Sequence, residues 1–432
     1  MMQQQTSWGN IPLEDLASLP NFHAPALSYD RKQIAFFSDT SGQIELYIME
    51  ARSGAIAKQV GAGEMPKTVR TSPVWTRDDD YILFAKDNGG DEQFNIWRIE
   101  IATGVTEQLT DNADAQEYPI EVSPDNKNLL VAANLNGQMN LFALNLTTHE
   151  YSQLTDYKNP VGSGQFSPDG SQIVYNANES DDFKNSDIYL MHADGSNKRQ
   201  ILHISTGSSE RFSNWSEDGA RLSVNTDAFG KNTAGVYHLK GGEVVWLTPH
   251  DKTVYAGEFS PDGVHLLVAE NEDASITPQV YKEVHQTDPD AIKKVDLELP
   301  PGMSYATEWL DNERFVINLN TDVTRPELRD YRLRDGASDV LIAAEYGDID
   351  PSLFAAHEYI TYESFDGLNI PALLYRPKDM ESGKKYPAIV NVHGGPTAQY
   401  FRGFNPFVQF MADNGYIVIQ PNVRGSTGYG VE

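Results

Sequence analysis

A phrase that returns seven times, and a strand–turn–helix–strand unit after it, predict a mostly β protein: a seven-bladed β-propeller with an α/β segment at its C-terminal end. The phrase is an aromatic or apolar residue, then Ser-Pro-Asp-Gly or a variant, then an alternating apolar run. It begins at Leu27, Trp75, Val122, Phe166, Trp215, Phe259 and, in degenerate form, Trp309. The copies are about 44 to 50 residues apart, the period of propeller blades.

Ahead of the repeats, Ile11–Leu19 reads as one or two helical turns with Pro12 in the first. Within each repeat a strand leads into the SPDG phrase, whose Pro and Gly suit the centre of a tight turn. A second strand follows with period-2 alternation. A third carries an aromatic, as in IELYIM (from Ile44), NIWRIE (from Asn95) and DIYLMH (from Asp187). A fourth follows a turn such as SG, TG, DG or GG and often ends in Leu-Thr, as at Leu109, Leu154 and Leu247. Four strands in each of seven units give the seven blades. The first opens near Ala24–Leu27 and the last ends near Val340–Ala343, which leaves no N-terminal strand to complete the last blade. The ring is therefore expected to close by packing alone. Trp75, Trp215 and Trp309 open equivalent positions and are expected in the core or between blades.

The repeated Asp of SPDG is expected to cap its own turn through the backbone N–H two residues on, not to bind metal. Asp78–Asp80 and the stretch Glu179–Asp187 are read as solvated loops, since neither matches an EF-hand loop.

The repeat stops around Gly347–Ser352. His357–Ser364 and Asn369–Tyr375 then form a hairpin about Phe365-Asp366-Gly367. Pro387–Val392 is a short apolar run bounded by Pro and Gly, the pattern of a strand buried on both faces. It ends in His393-Gly394-Gly395-Pro396. A helix over Phe404–Asn414 stops at Gly415, and a second apolar run, Tyr416–Gln420, leads into PNVRGSTGYG. This is parallel βαβ grammar. A strand ending in HGG is also how α/β-hydrolases place a backbone N–H to hold the oxyanion of acyl transfer. The domains expected are a 1–22 N-terminal segment, a 23–350 propeller and a 351–432 first part of an α/β-hydrolase domain.

Three stretches carry a resemblance: FDGLNIPALLYRP (Phe365–Pro377), VNVHGGP (Val390–Pro396) and PNVRGSTGYG (Pro421–Gly430). In them the chain resembles the prolyl oligopeptidase family of serine peptidases, especially its acylaminoacyl-peptidase-like branch. The resemblance implies a serine peptidase acting on short peptides, with the propeller gating access; a cytoplasmic location is expected by default, from the lack of a signal-peptide pattern and of a membrane-spanning run. It places one oxyanion donor in the His393–Gly395 turn, most naturally Gly395. His393 then orders the turn or touches substrate and is not the general base. Gly394 and Gly395 allow close backbone approach, Arg424 supports the site by bonding loop carbonyls and carboxylates, and Ser426 is a loop residue. Family members carry the nucleophilic serine in a Gly-x-Ser-x-Gly elbow downstream of RGSTGYG, and acid and histidine beyond that. No such elbow occurs in the 432 residues, so the sequence reads as the front part of a hydrolase, inactive alone, with the triad beyond Glu432. An esterase or lipase-like hydrolase of the same architecture, and a non-catalytic propeller that binds a partner, remain open alternatives.

Composition narrows the remaining classes. A formal charge of −29 argues against nucleic acid, because phosphate binding needs clustered Lys and Arg. No cysteine is present, which removes disulfides, thiolate metal sites and cysteine catalysis. The 10 histidines show no ligand spacing, so no metal is expected. No phosphate or dinucleotide loop is present, so no cofactor is expected. The first residues lack a signal-peptide pattern, and no apolar run is long enough to span a bilayer, so no membrane partner is expected.

Overall fold

The computed structural model describes residues 9–247, 251–395 and 397–430. Pro396 of the HGGP turn, Thr248 of the last Leu-Thr pair, the first eight residues and the last two lie outside the described residues.

A short helix, Leu13–Ser18, comes first, with Pro12 just ahead of it at the cap. Seven antiparallel four-stranded sheets follow in strict sequence order, spanning 22–60, 74–108, 117–153, 164–202, 211–246, 253–295 and 305–342. Each strand pairs with the next in sequence, as short turns allow. The SPDG-type turns work as expected. At Ser167-Pro168-Asp169-Gly170, the Gly170 N–H donates to Ser167 O at 2.8 Å, and Asp169 Oδ1 accepts from Ser167 Oγ (2.6 Å) and Ser171 N (3.0 Å). The same Asp cap recurs at Asp30, Asp125, Asp218 and Asp262. Gly170 has φ 71°; in other copies Arg31, Asp79 and Asn126 hold this left-handed position at φ 58–60°.

The sheets are joined by a periodic device. The residue before the last position of a first strand reaches to the neighbouring sheet and accepts a backbone N–H that has no ladder partner. Glu121 accepts from Phe166 N (2.9 Å), Gln165 from Trp215 N (3.3 Å) and Glu258 from Trp309 N (3.2 Å). Glu308 does the same across the seam between the last sheet and the first, accepting from Leu27 N at 3.1 Å. No strand is exchanged there among the described residues. The expectation of closure by packing alone is thus corrected: side-chain hydrogen bonding joins the packing. The indole N–H groups of Trp75, Trp215 and Trp309 add bonds to Ala26 O, Gln165 O and Glu258 O. A cavity of about 470 Å³ is lined by residues of all seven sheets, among them Arg31, Arg77, Glu121, Glu217, Glu258 and Glu308.

Two groups of carboxylates set opposite pH dependences. The turn aspartates are held low: Lys32 and Ser28 bring Asp30 to about 2, and Ser123 and Ser167 lower Asp125 and Asp169. A depressed folded value contributes stability above the unfolded value near 4 that is lost as pH falls through the folded value. Burial pushes Glu258 and Glu308 up, so they bind protons in the folded state that the unfolded chain releases, and stability falls as pH rises from about 4.5. Tm is therefore expected to peak in mildly acidic solution. Glu258→Gln with Glu308→Gln should flatten the alkaline limb only; a scan in which the double variant tracks the parent at every pH would refute this assignment.

After a single 3-10 turn at Pro351–Leu353, an eighth, mixed sheet forms. Its order is His357–Glu363, Asn369–Tyr375, Ile417–Pro421, Ala388–Val390; the last two strands are parallel and the other pairs antiparallel. The helix Pro406–Asp413 connects the parallel pair, capped by the Asn405 side chain on Val408 N (3.1 Å) and ended by Gly415 at φ 83°. The Pro387–Val392 run is not a strand buried on both faces. Only Ala388–Val390 is strand, it lies at the sheet edge with one neighbour, and Val390 and Val392 are 66% and 56% exposed. The apolar run fits burial, but the sheet order leaves nothing among the described residues against its outer side.

Candidate functional site

The edge strand runs straight into the His393-Gly394-Gly395 turn, and Asn391 N still donates to Ile419 O at 2.9 Å. Gly395 has φ 134°, a conformation side chains rarely adopt. A Cβ there would stand 2.9 Å from Thr397 N and 3.2 Å from Ala398 N, so the glycine keeps the approach to those amides open. A Cβ on Gly394 would meet nothing within 4 Å. Of the two glycines, only Gly395 is required by its surroundings.

His393 bridges two loops. Its Nδ1 lies 3.0 Å from Gly394 O and its Nε2 2.8 Å from Ser426 Oγ. A carbonyl can only accept, so Nδ1 carries the proton and Nε2 accepts from the Ser426 hydroxyl. The ring packs edge-on to Tyr400, centroids 5.5 Å apart. Ser426, read from sequence as a plain loop residue, is 7% exposed and fastens this histidine.

The RGSTGYG loop is tied down at three further points. Thr427 N donates to Ala398 O at 3.0 Å. Asn422, buried, binds the Tyr400 backbone on both sides, accepting from its N–H (2.7 Å) and donating to its carbonyl (3.1 Å), and also donates to Tyr429 Oη (2.8 Å). Arg424 pairs with Asp366 of the hairpin turn, and its guanidinium lies over the Phe365 ring, 5.2 Å from the centroid. Arg424 thus meets a carboxylate and a ring, whereas the sequence reading named carbonyls and carboxylates. Asn422 and Tyr400 were not singled out from sequence. The only signal was the place of Asn422 inside PNVRGSTGYG.

The segment after the turn also docks on the propeller. Arg402 donates from its backbone N to Ala274 O (2.9 Å) and from Nε to Asp273 O (2.7 Å). Asp273 and Ala274 form a two-residue hairpin turn with φ 49° and 62°. Ala274 is buried against Leu373, Tyr375, Val408 and Val418. On the next sheet, Asp322 Oδ2 accepts from His357 N (3.0 Å) and lies 2.7 Å from His357 Nδ1. Gln409, 1% exposed, donates to Asp322 O (2.7 Å) and Ala355 O (3.0 Å). Buried amides of this kind are costly unless satisfied, so they fix the docking geometry.

Residues 16–181 match the TolB beta propeller domain family. The uncharacterized peptidase YuxL of Bacillus subtilis is 26% identical over 433 residues, covering 94% of this chain and 62% of that protein. Dipeptidyl peptidase family member 6 of Caenorhabditis elegans is 24% identical, covering 97% and 61%. A solved prolyl endopeptidase superposes with a TM-score of 0.78 at 14% identity, over 97% of this chain and 64% of that one. The chain spans about three-fifths of the length of the curated relatives it matches. Its fold is mostly β, with a β-propeller domain, and is like that of the prolyl endopeptidase over the part they share. In sequence the chain is thus similar to dipeptidyl peptidases, and in fold to a prolyl endopeptidase.

Proposed function

We propose that these residues are the propeller and the opening part of the catalytic domain of a serine peptidase that hydrolyses short peptides. The seven sheets are its seven blades, over residues 23–350, and residues 351–432 begin its α/β-hydrolase domain. The observation that carries this reading is the His393–Gly395 turn: a glycine at φ 134° held open beside two backbone amides, in a segment clamped by Ser426, Asn422 and Thr427. In acyl transfer a serine oxygen adds to the peptide carbonyl, the carbonyl oxygen takes up negative charge, and the C–N bond then breaks as the amine leaves protonated. A turn that presents backbone N–H at the developing oxyanion lowers that barrier. The ring of blades would cover the site and restrict access to peptides, which is the gating role.

Ser426 is not the nucleophile in this reading. Its partner His393 is oriented by a carbonyl, Gly394 O, and among the described residues no carboxylate stands at Nδ1 to stabilise an imidazolium. The 432-residue chain is therefore expected to show no labelling by a fluorophosphonate probe and no peptide or ester hydrolysis. A probe adduct mapped to Ser426 by mass spectrometry would reverse the assignment and make His393–Ser426 a catalytic pair.

A further inference from the structure

The end of the fourth sheet carries a second cluster of chemistry, independent of the peptidase reading. Asp187 opens its third strand, His203 directly follows its fourth strand, Arg199–Leu202, and Glu210 directly precedes the next sheet. One ligand atom from each lies within 4.8 Å of the others. The sequence reading placed Glu179–Asp187 in a solvated loop. Asp181, Asp182 and Lys184 are exposed, but Asp187 is 4% exposed and Glu210 fully buried. Burying two carboxylates this close is costly without a cation. Asp187 pairs with His203 alone, and Glu210 pairs with no lysine or arginine among the described residues.

The repeats provide an internal comparison. In the second sheet the same positions are Asn95, Thr110 and Glu117, with the same seven-residue step from Thr110 to Glu117 as from His203 to Glu210. There Asn95 Oδ1 accepts from Asn112 N (2.7 Å), Thr110 accepts from Ile96 N (2.9 Å), and the Thr110 hydroxyl donates to Glu117. In the third sheet Asn140 Oδ1 likewise accepts from Tyr157 N (2.9 Å) and Thr155 from Leu141 N (2.8 Å), and the Thr155 hydroxyl donates to Asn140 Oδ1 at 2.9 Å. In the second and third sheets this end of the blade therefore closes without an Asp or a His at these positions. The fourth sheet replaces them with Asp and His, adding a charge and an imidazole that the architecture does not require.

We propose that Asp187, His203 and Glu210 form a site for a divalent transition metal of the Zn²⁺ class. One nitrogen and two carboxylate oxygens are a donor set suited to that ion, with water completing the coordination. Outer partners already orient the carboxylates. Asn185 Nδ2 holds Asp187 Oδ2 at 3.0 Å, and the Ser208 and Thr226 hydroxyls hold Glu210 Oε1 at 2.6 and 2.8 Å. Asp187 Oδ1 and His203 Nδ1, 2.7 Å apart, are left to turn to the metal, the proton between them leaving to solvent. His203 is the exposed member and marks the way in. The ion would pin the loop after the fourth sheet to the start of the fifth.

The test is isothermal titration of tag-free, chelator-treated chain with Zn²⁺, alongside thermal melts. One tight equivalent per chain and a raised Tm are expected. The variant D187N/H203T restores the neutral cap of the second and third sheets. It should melt like the metal-free parent and bind Zn²⁺ on the order of 100-fold more weakly. If that variant fails to fold, His203→Ala, at the exposed member, serves the same comparison. Absence of a saturable equivalent in the parent, or unchanged affinity in a folded variant, would overturn the site.

Discussion

Trp309→Ala is expected to lower stability by about 3–5 kcal/mol, the cost of emptying a fully packed aromatic site. Trp309 is among the largest side chains with no exposed surface. It ends the first strand of the seventh sheet and packs with Leu267 and Val280 of the sixth sheet and Phe315, Ile317 and Tyr331 of its own. Its ring stacks on His265 (5.8 Å) and meets Phe315 edge-on (5.1 Å). Its indole N–H donates to Glu258 O, which alanine would leave without that donor. The loss therefore falls on the junction next to the seam that Glu308 closes. The denaturation midpoint is the measurement, with Ile56→Ala, at a 90% exposed position, expected within about 0.5 kcal/mol of the parent. A Trp309→Ala midpoint equal to that of Ile56→Ala would refute this picture of the junction.

Gly395→Ala is expected to lower kcat by roughly 10²–10³-fold, with KM little changed, in a form of the protein that carries the nucleophilic serine. The reason is local. A Cβ at Gly395 would press on Thr397 N at 2.9 Å, and φ 134° is strained for alanine, so the turn must move. An oxyanion contact strengthens only in the transition state, which is why the loss appears in kcat. Gly394→Ala, with open space around its Cβ, should cost less. If Gly395→Ala raised KM and left kcat alone, the turn would be a ground-state binding element.

The period-2 strands, the Asp-capped turns and the position of the hairpin at Phe365-Asp366-Gly367 were all legible in the sequence. Each is a local matter: alternation, a Pro or Gly at one position, an Asp two residues before the amide it caps. Even the parallel pair Ala388–Val390 with Ile417–Pro421 was readable, because a helix between two apolar runs leaves few other connections.

What the sequence by itself could not decide is who meets whom across the chain. Ser426 and His393 are 33 residues apart, and Arg424 and Asp366 are 58 apart. Their pairing depends on which strand lies beside which in the eighth sheet, and the same order exposes the Val390 edge that its composition suggested was buried. Glu308 and Leu27 are 281 apart and meet only because the last sheet comes round to the first. Asp187, His203 and Glu210 likewise show no ligand spacing; two strands and a loop of the fold bring them within reach. Local patterns decide elements through a residue's own neighbours, whereas a site is a set of distant residues whose contacts exist only once the sheets have packed.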